Sequence, residues 1–276
     1  MTSVTDTSMD RAHHFRAEAA SLGLPSEEVE EWIRTARPAV YLARGGDGPL
    51  VARIGGDPLL PHGAPKPAEH FVASVDLAAL PPGATGLPLP ADGHLLLFSD
   101  VVVHGTGKQV SDAVLYVPAG TPTAPTPLGH SWREPYRPDE LRTVWHQLSV
   151  PMPESFALDR WGDLPEDEQS ELADALADAW AHGGGHRPPW ALQIGGHPVS
   201  PQNDPVHDVR DTEDTAHREQ GGAAPGEGAD DWVLLATWRC GDDVTELDSG
   251  VAHWVVRRRD VAARRFDRVH RYVEMA

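Results

Sequence analysis

Apolar positions near the start of the chain recur at helical spacing. Val29, Trp32 and Ile33 form a stripe behind Ser26, whose side chain suits a helix start, and Glu27, Glu28 and Glu30 complement the positive end of the helix dipole. Pro38 halts this pattern, so N-terminal helices are expected within residues 8–37. The spacing then shifts towards period two. "AVYLARG", "LVARIGG", "HFVASVDL", "GHLLLFSDVVV" and "AVLYV" read as strands, and "RTVWHQLSV" (142–150) closes this run. One helix follows over 163–182: Asp163, Pro165 and Glu166 form a capping box, Leu172, Leu176 and Trp180 lie four apart, and Gly183 ends it. Strand patterns resume in "WALQIGG", "WVLLATWRC", "GVAHWVVRR" and "RVHRYVEM", with a short turn near 261–264.

The second run repeats the first. Ile-Gly-Gly-x-Pro-x-x-Pro occurs at Ile54–Pro61 and at Ile194–Pro201, and each copy precedes an apolar strand and then a strand opened by glycine. Gly55, Gly56, Gly195 and Gly196 permit positive φ, while Pro58 and Pro198 prevent further strand pairing. The turn therefore ends a strand and redirects the chain. The expected architecture is an α+β fold, internally duplicated into mainly antiparallel sheet halves at about 38–150 and 188–276, with N-terminal helices and one central helix. The whole of 1–276 reads as a single domain. Residues 203–231, rich in acids and containing "GGAAPGEG", read as a mobile loop insertion in the second half.

Charge narrows the function. The net charge is −19, and Asp163–Trp180 and Asn203–Asp231 each contribute −7 of it. Seven arginines between Arg257 and Arg271 reverse this locally and read as a solvated strand face. Such a field repels polyanions, so nucleic acid is not an expected partner. A basic protein partner, steered by the acidic segments, or a small ligand fits better. The start lacks the apolar core of a secretory signal, and no apolar run reaches the length of a membrane span. A cytoplasmic protein is expected. Cys240 is the only cysteine, which excludes an intrachain disulfide.

Fragments of catalytic motifs fail on inspection. "HGGG" (182–185) matches an oxyanion loop, but the chain has no Gly-x-Ser-x-Gly elbow. "GTGK" (105–108) lacks the earlier glycine and the following Ser or Thr of a phosphate loop, and reads as a hairpin turn. His182 and His186 have helical ligand spacing, but the glycines between them break the helix. No metal or cofactor is expected. The acids after Cys240 disfavour a thiolate, so it reads as structural. Trp32, Trp180, Trp232 and Trp254 belong to the core by periodicity, leaving Trp132, Trp161 and Trp190 as candidates for exposed rings. The candidate ligand residues are those that distinguish the two glycine turns: Asp57 against His197, with Gln202 and Asp204 added in the second copy. If the halves bring their turns together, a carboxylate and an imidazole face each other across a cleft. The leading expectation is a non-enzymatic protein- or ligand-binding module, with an enzyme using that cleft as the alternative.

Arg37–Leu42, the Ile-Gly-Gly-x-Pro-x-x-Pro turn, "HFVASVDLAALP", Gly195-Gly196-x-Pro198 with Gln202, "WVLLATW" and "RDVAARRFDRV" together resemble the YwqG-like family, in order and spacing, over nearly the whole chain. The resemblance implies a duplicated α+β fold and no established activity. Ser74 and Thr237 stand where the family usually has a strand glutamine, and Glu246–Gly250 replaces a Trp-Gly-Asp turn.

Overall fold

The computed structural model describes residues 4–101, 107–129, 134–162, 166–182, 189–219, 231–241, 244 and 250–275, without the side chains of 4–10, 145, 146 and 166–168. In chain order the elements are α1 (Val4–Ser21), α2 (Ser26–Thr35), β1 (Arg37–Arg44), β2 (Leu50–Ile54), β3 (Leu59–Pro61), β4 (Phe71–Asp76), β5 (His94–Phe98), β6 (Lys108–Gln109), β7 (Val114–Val117) and β8 (Thr123–Pro125). Then come β9 (Asp139–Ser149), α3 (Pro153–Trp161), α4 (Glu166–His182), β10 (Leu192–Gly195), α5 (Pro205–Glu219), β11 (Trp232–Arg239), β12 (Val251–Arg257), α6 (Arg258–Ala262) and β13 (His270–Glu274). The class is α+β.

Eleven strands join in the order β6-β13-β12-β11-β10-β1-β9-β2-β4-β5-β7, each pair antiparallel, and β3 and β8 form a separate ribbon. From the central pair β1–β9, the chain steps outward through β2, β4, β5 and β7 on one side. On the other it steps through β10, β11, β12 and β13. The long strand β9 does not close the first half, as its place in the sequence suggested. It inserts beside β1 at the middle of the sheet, because its eleven residues can pair with β1 along one edge and with β2 along the other.

Alternation along the strands separates two faces. Ile54, Val75 and Leu97 of the first half share one core with Ile194, Trp238 and Trp254 of the second, so the sheet curls and its inner faces meet. The Trp254 indole donates to the carbonyl of Phe98 across this core at 3.0 Å. The curl also brings the sheet ends together. β6 pairs with β13 at one end and β7 with β5 at the other, yet only residues 110–113 separate β6 from β7. The Tyr116 ring then lies 6.1 Å from that of Phe266, with the Arg264 guanidinium over it at 5.4 Å.

Helices cover the outer face at the centre of the sheet. α2 begins at Ser26 itself, with Pro25 flanking it and no side-chain cap, and buries Val29 and Trp32. These meet Phe15 of α1, Phe156 of α3 and Leu176 and Trp180 of α4. Each such side chain contributes about 1.5–3 kcal/mol when fully buried. The capping box proposed at 163–165 lies outside the described residues; the helix after it runs to His182 as its spacing implied. α3 was not legible from periodicity. It is one short stretch, opened by Pro153 and with Phe156 and Ala157 buried.

The segment after each glycine turn folds back over the outer face of its own half. In the first half the β3–β8 ribbon seats Leu60 against Phe71, Leu96 and Phe98. In the second, residues 205–219 form α5, which corrects the expectation of a mobile loop across 203–231; residues 220–230 lie outside the described residues. Little apolar surface was needed to order it. Asp204 Oδ1 accepts from the amides of Val206 and His207, at 2.9 and 3.2 Å, and Pro205 occupies the first helical position. Val206 and Val209 then pack on Trp232 and Val255, and the Tyr272 hydroxyl donates to Asp208 at 2.8 Å.

Candidate functional site

The glycine turns are built alike. Gly55 and Gly56 have φ of 68° and 71°, and Gly195 and Gly196 have 70° and 77°. A Cβ on Gly55 would lie 2.3 Å from the Tyr136 carbonyl, and one on Gly195 would lie 2.5 Å from that of Thr85. The amides of Gly55 and Gly56 donate to the carbonyls of Val72 and Tyr136, at 2.9 and 2.8 Å, so they do not line an anion site. These turns are packing devices at strand ends.

They do not face each other. Passing from β2 through β9 and β1 to β10 takes three antiparallel steps, which reverses direction, so the two turns leave opposite ends of the sheet. Gly56 bonds to Tyr136, before β9 begins, whereas the His197 amide donates at 2.5 Å to the hydroxyl of Ser149, where β9 ends. β9 spans eleven residues, roughly 33 Å at about 3.3 Å per residue. Asp57 and His197 are therefore not brought into one cleft. The expectation assumed that the ends of the two strands converge; in the observed strand order they point to opposite ends of the sheet.

Each of these side chains has local surroundings. His197 Nε2 lies 2.8 Å from the carbonyl of Thr35, and Gln193 Nε2 donates to the His197 carbonyl at 2.7 Å. Burial drives the His197 imidazole down to about 3, with the Arg37 charge acting the same way and the Thr35 bond opposing both, so the ring is neutral at pH 7. Gln202 donates to the Met275 carbonyl at 2.8 Å, and Asp204 caps α5. Asp57 is exposed beyond the first turn.

Asp57 lines an open groove of about 820 Å³ on the outer face of the first half. The register places Glu140, Arg53, Ser74 and Leu96 in one row across β9, β2, β4 and β5. The β3–β8 ribbon contributes Leu59 and Thr123 to its lining. Carboxylates stand at both ends: Asp57 and Asp139 at one, Asp76 and Asp92 at the other. Asp139 lies 3.3 Å from Arg44, Glu140 lies 3.4 Å from Arg53 and 3.5 Å from Arg142, and Asp76 accepts the Ala78 amide at 3.0 Å. Among the described residues, the Asp57 and Asp92 carboxylates have no hydrogen-bond or ion-pair partner. A side pocket of about 180 Å³ adjoins the groove and is lined by Asp57, His70 and Glu134. A family model described as "Domain of unknown function (DUF1963)" matches residues 52–274, from β2 to the end of β13, and so includes all of these groove residues.

The chain belongs to the DUF1963 family. None of the curated proteins compared with it matches. In this DUF1963 domain Gln193, Thr237, His253 and Tyr272 form one outer row across the second half, which Tyr41 of β1, ahead of the matched residues, continues. There the polar side chains are enclosed. Gln193, Thr237 and His253 are fully buried and Glu274 nearly so. The Thr237 hydroxyl lies 2.8 Å from His253 Nδ1, and His253 Nε2 lies 3.8 Å from Glu274, which also takes the Ser200 hydroxyl and, at 3.2 Å, the Asn203 amide. Sequence reasoning missed this network. Outward polar positions on strands read as solvated, and only the fold-back of residues 198–219 encloses them.

Other motif residues resolve individually. Cys240 is partly buried against the core. Trp190 is partly buried rather than free, with the Arg239 guanidinium 4.4 Å above it, and Trp161 packs on Phe156 at 5.4 Å. Trp132, His186 and Gly183–Gly185 lie outside the described residues. The tail arginines are largely engaged: Arg271 pairs with Glu69 at 2.9 Å, Arg268 with Asp260 at 3.2 Å, and Arg257 lies over Trp232 at 4.3 Å. Among the described residues, no three His, Cys, Asp or Glu side chains gather as a metal site, and no helix is long and apolar enough to cross a membrane.

Proposed function

We propose that this DUF1963 domain is a non-enzymatic binding module, with YwqG-like kinship, whose site is the open groove on the outer face of the first half. Its ligand is a cation with apolar substance. The observation that carries this reading is a groove with exposed apolar lining at Leu59, Ala78, Pro118 and Ala119 and carboxylates at both ends, two of them without partners. A volume of about 820 Å³ lies within the roughly 300–1,000 Å³ usual for small-ligand sites. Leu59, Ala78, Pro118 and Ala119, exposed along the lining, offer contact for an alkyl part, while the acids select for positive charge.

A thermal-shift screen of organic cations and matched anions tests the reading. Amphiphilic cations are expected to raise the melting temperature of the wild type, and less so that of Asp57→Asn combined with Asp92→Asn. Equal stabilisation by anions, or no effect of the double substitution, would remove the groove from consideration. The enzyme reading draws support from one feature, the Asp57–His70 side pocket. It predicts that His70→Ala abolishes turnover of a bound ligand while leaving its binding intact.

A further inference from the structure

Resting on that reading, we infer that the groove takes a linear aliphatic polyamine, a chain with an ammonium group at each end, in preference to a single cation or a peptide strand. The two unpartnered carboxylates stand at opposite ends of the strands beneath them. Asp57 lies beside Phe71, where β4 begins, because both line the groove and the adjoining pocket. Asp92 precedes Gly93, whose carbonyl accepts the amide of Leu77 just past the end of β4. The six residues of β4 thus separate them by roughly 17–20 Å along the strand.

The path between the two ends suits methylene groups. Leu59 is 50% exposed on its rim, and Ala78, Pro118 and Ala119 are exposed along the lining. Arg53 also stands there, and its guanidinium is engaged 3.4 Å from Glu140. A single cation reaches one free carboxylate and leaves the other unused. A dication of matching length engages both, and the second contact forms at the high effective concentration set by the tether. The groove floor offers a peptide strand no edge to extend, since strand addition requires a free sheet edge and β2, β4 and β5 are each paired on both sides.

Calorimetric titration of the full chain with a length series tests the inference: hexylamine, putrescine, 1,8-diaminooctane, 1,12-diaminododecane and spermine. Salt is held at about 150 mM to suppress diffuse attraction by the net charge. Affinity is expected to rise with the separation of the two ammonium groups, by at least tenfold from putrescine to the long chains. Asp57→Asn and Asp92→Asn are each expected to erase most of that gain. Glu171→Gln with Asp174→Asn, on the exposed side of α4, is expected to leave it intact. Affinity independent of length, or hexylamine binding as tightly as the matched diamine, would overturn the two-ended ligand while the groove reading stands. Loss of binding in the α4 variant equal to that in the groove variants would overturn both. Tighter binding of a lysine-containing peptide than of any diamine would overturn the choice of polyamine.

Discussion

The imidazole of His197 offers a quantitative test of how the second glycine turn is held. Burial and the neighbouring Arg37 charge depress its pKa from the ordinary 6.5 to about 3. The sign follows from linkage. Between these values the unfolded chain binds a proton that the folded chain refuses, so stability is lost as pH falls below the ordinary value. Integrated from pH 8 to pH 4.5, with about 1.36 kcal/mol per pKa unit, this one group costs about 3 kcal/mol. In His197→Gln the side chain remains neutral throughout and can still donate to the Thr35 carbonyl, 2.8 Å from Nε2 in the wild type. Urea unfolding of both proteins at the two pH values isolates the term, because the other titrating groups are common to both. The wild type is expected to lose about 3 kcal/mol more than the variant on acidification. Equal losses would show that His197 is hydrated and free to protonate, and would refute its enclosed place between α2 and the glycine turn.

Two further outcomes follow from packing and charge. Burial raises the Glu69 carboxyl to about 7 despite Arg271 at 2.9 Å, so the folded state retains a proton that the unfolded chain releases from about pH 4.5 upward. The wild type should therefore lose about 2–3 kcal/mol between pH 5 and pH 8 that Glu69→Gln does not lose, as measured by urea unfolding; parallel profiles would refute the enclosed pair. Gly55→Ala forces a side chain towards the Tyr136 carbonyl at positive φ, whereas Gly63, with φ of 76°, has nothing within 4 Å. Gly63→Ala should cost about 1–2 kcal/mol in denaturant unfolding, and Gly55→Ala clearly more; equal costs would show that the first turn relaxes without strain.

The principal strands and helices were legible in the sequence because their signals are local. The period-two runs gave ten strands, and Val29 and Trp32, like Leu176 and Trp180, marked buried helix faces before any contact was known. What escaped depends on contacts distant in sequence. β9 pairs with both β1 and β2, and nothing in "RTVWHQLSV" distinguishes a central strand from an edge strand. α5 looked too polar to order because its apolar partners, Trp232 and Val255, arrive from strands that follow it. The candidate site divides along the same line. Asp57 was singled out from the repeat and lines the groove, but Asp92 and Asp76 carry no local signal. They join it only through the pairing of β4 with β5. His197 was chosen by the same logic and faces α2 instead, since three antiparallel steps turn the second glycine turn to the far end of the sheet.

The groove as the binding site is tested most directly by an amide chemical-shift titration of the wild type with spermine. The account predicts that the largest shifts map to β2, β4 and β5, to the Asp57 turn and to Gly93, and that they saturate. Shifts confined to the acidic helices α4 and α5, rising without saturation, would contradict it.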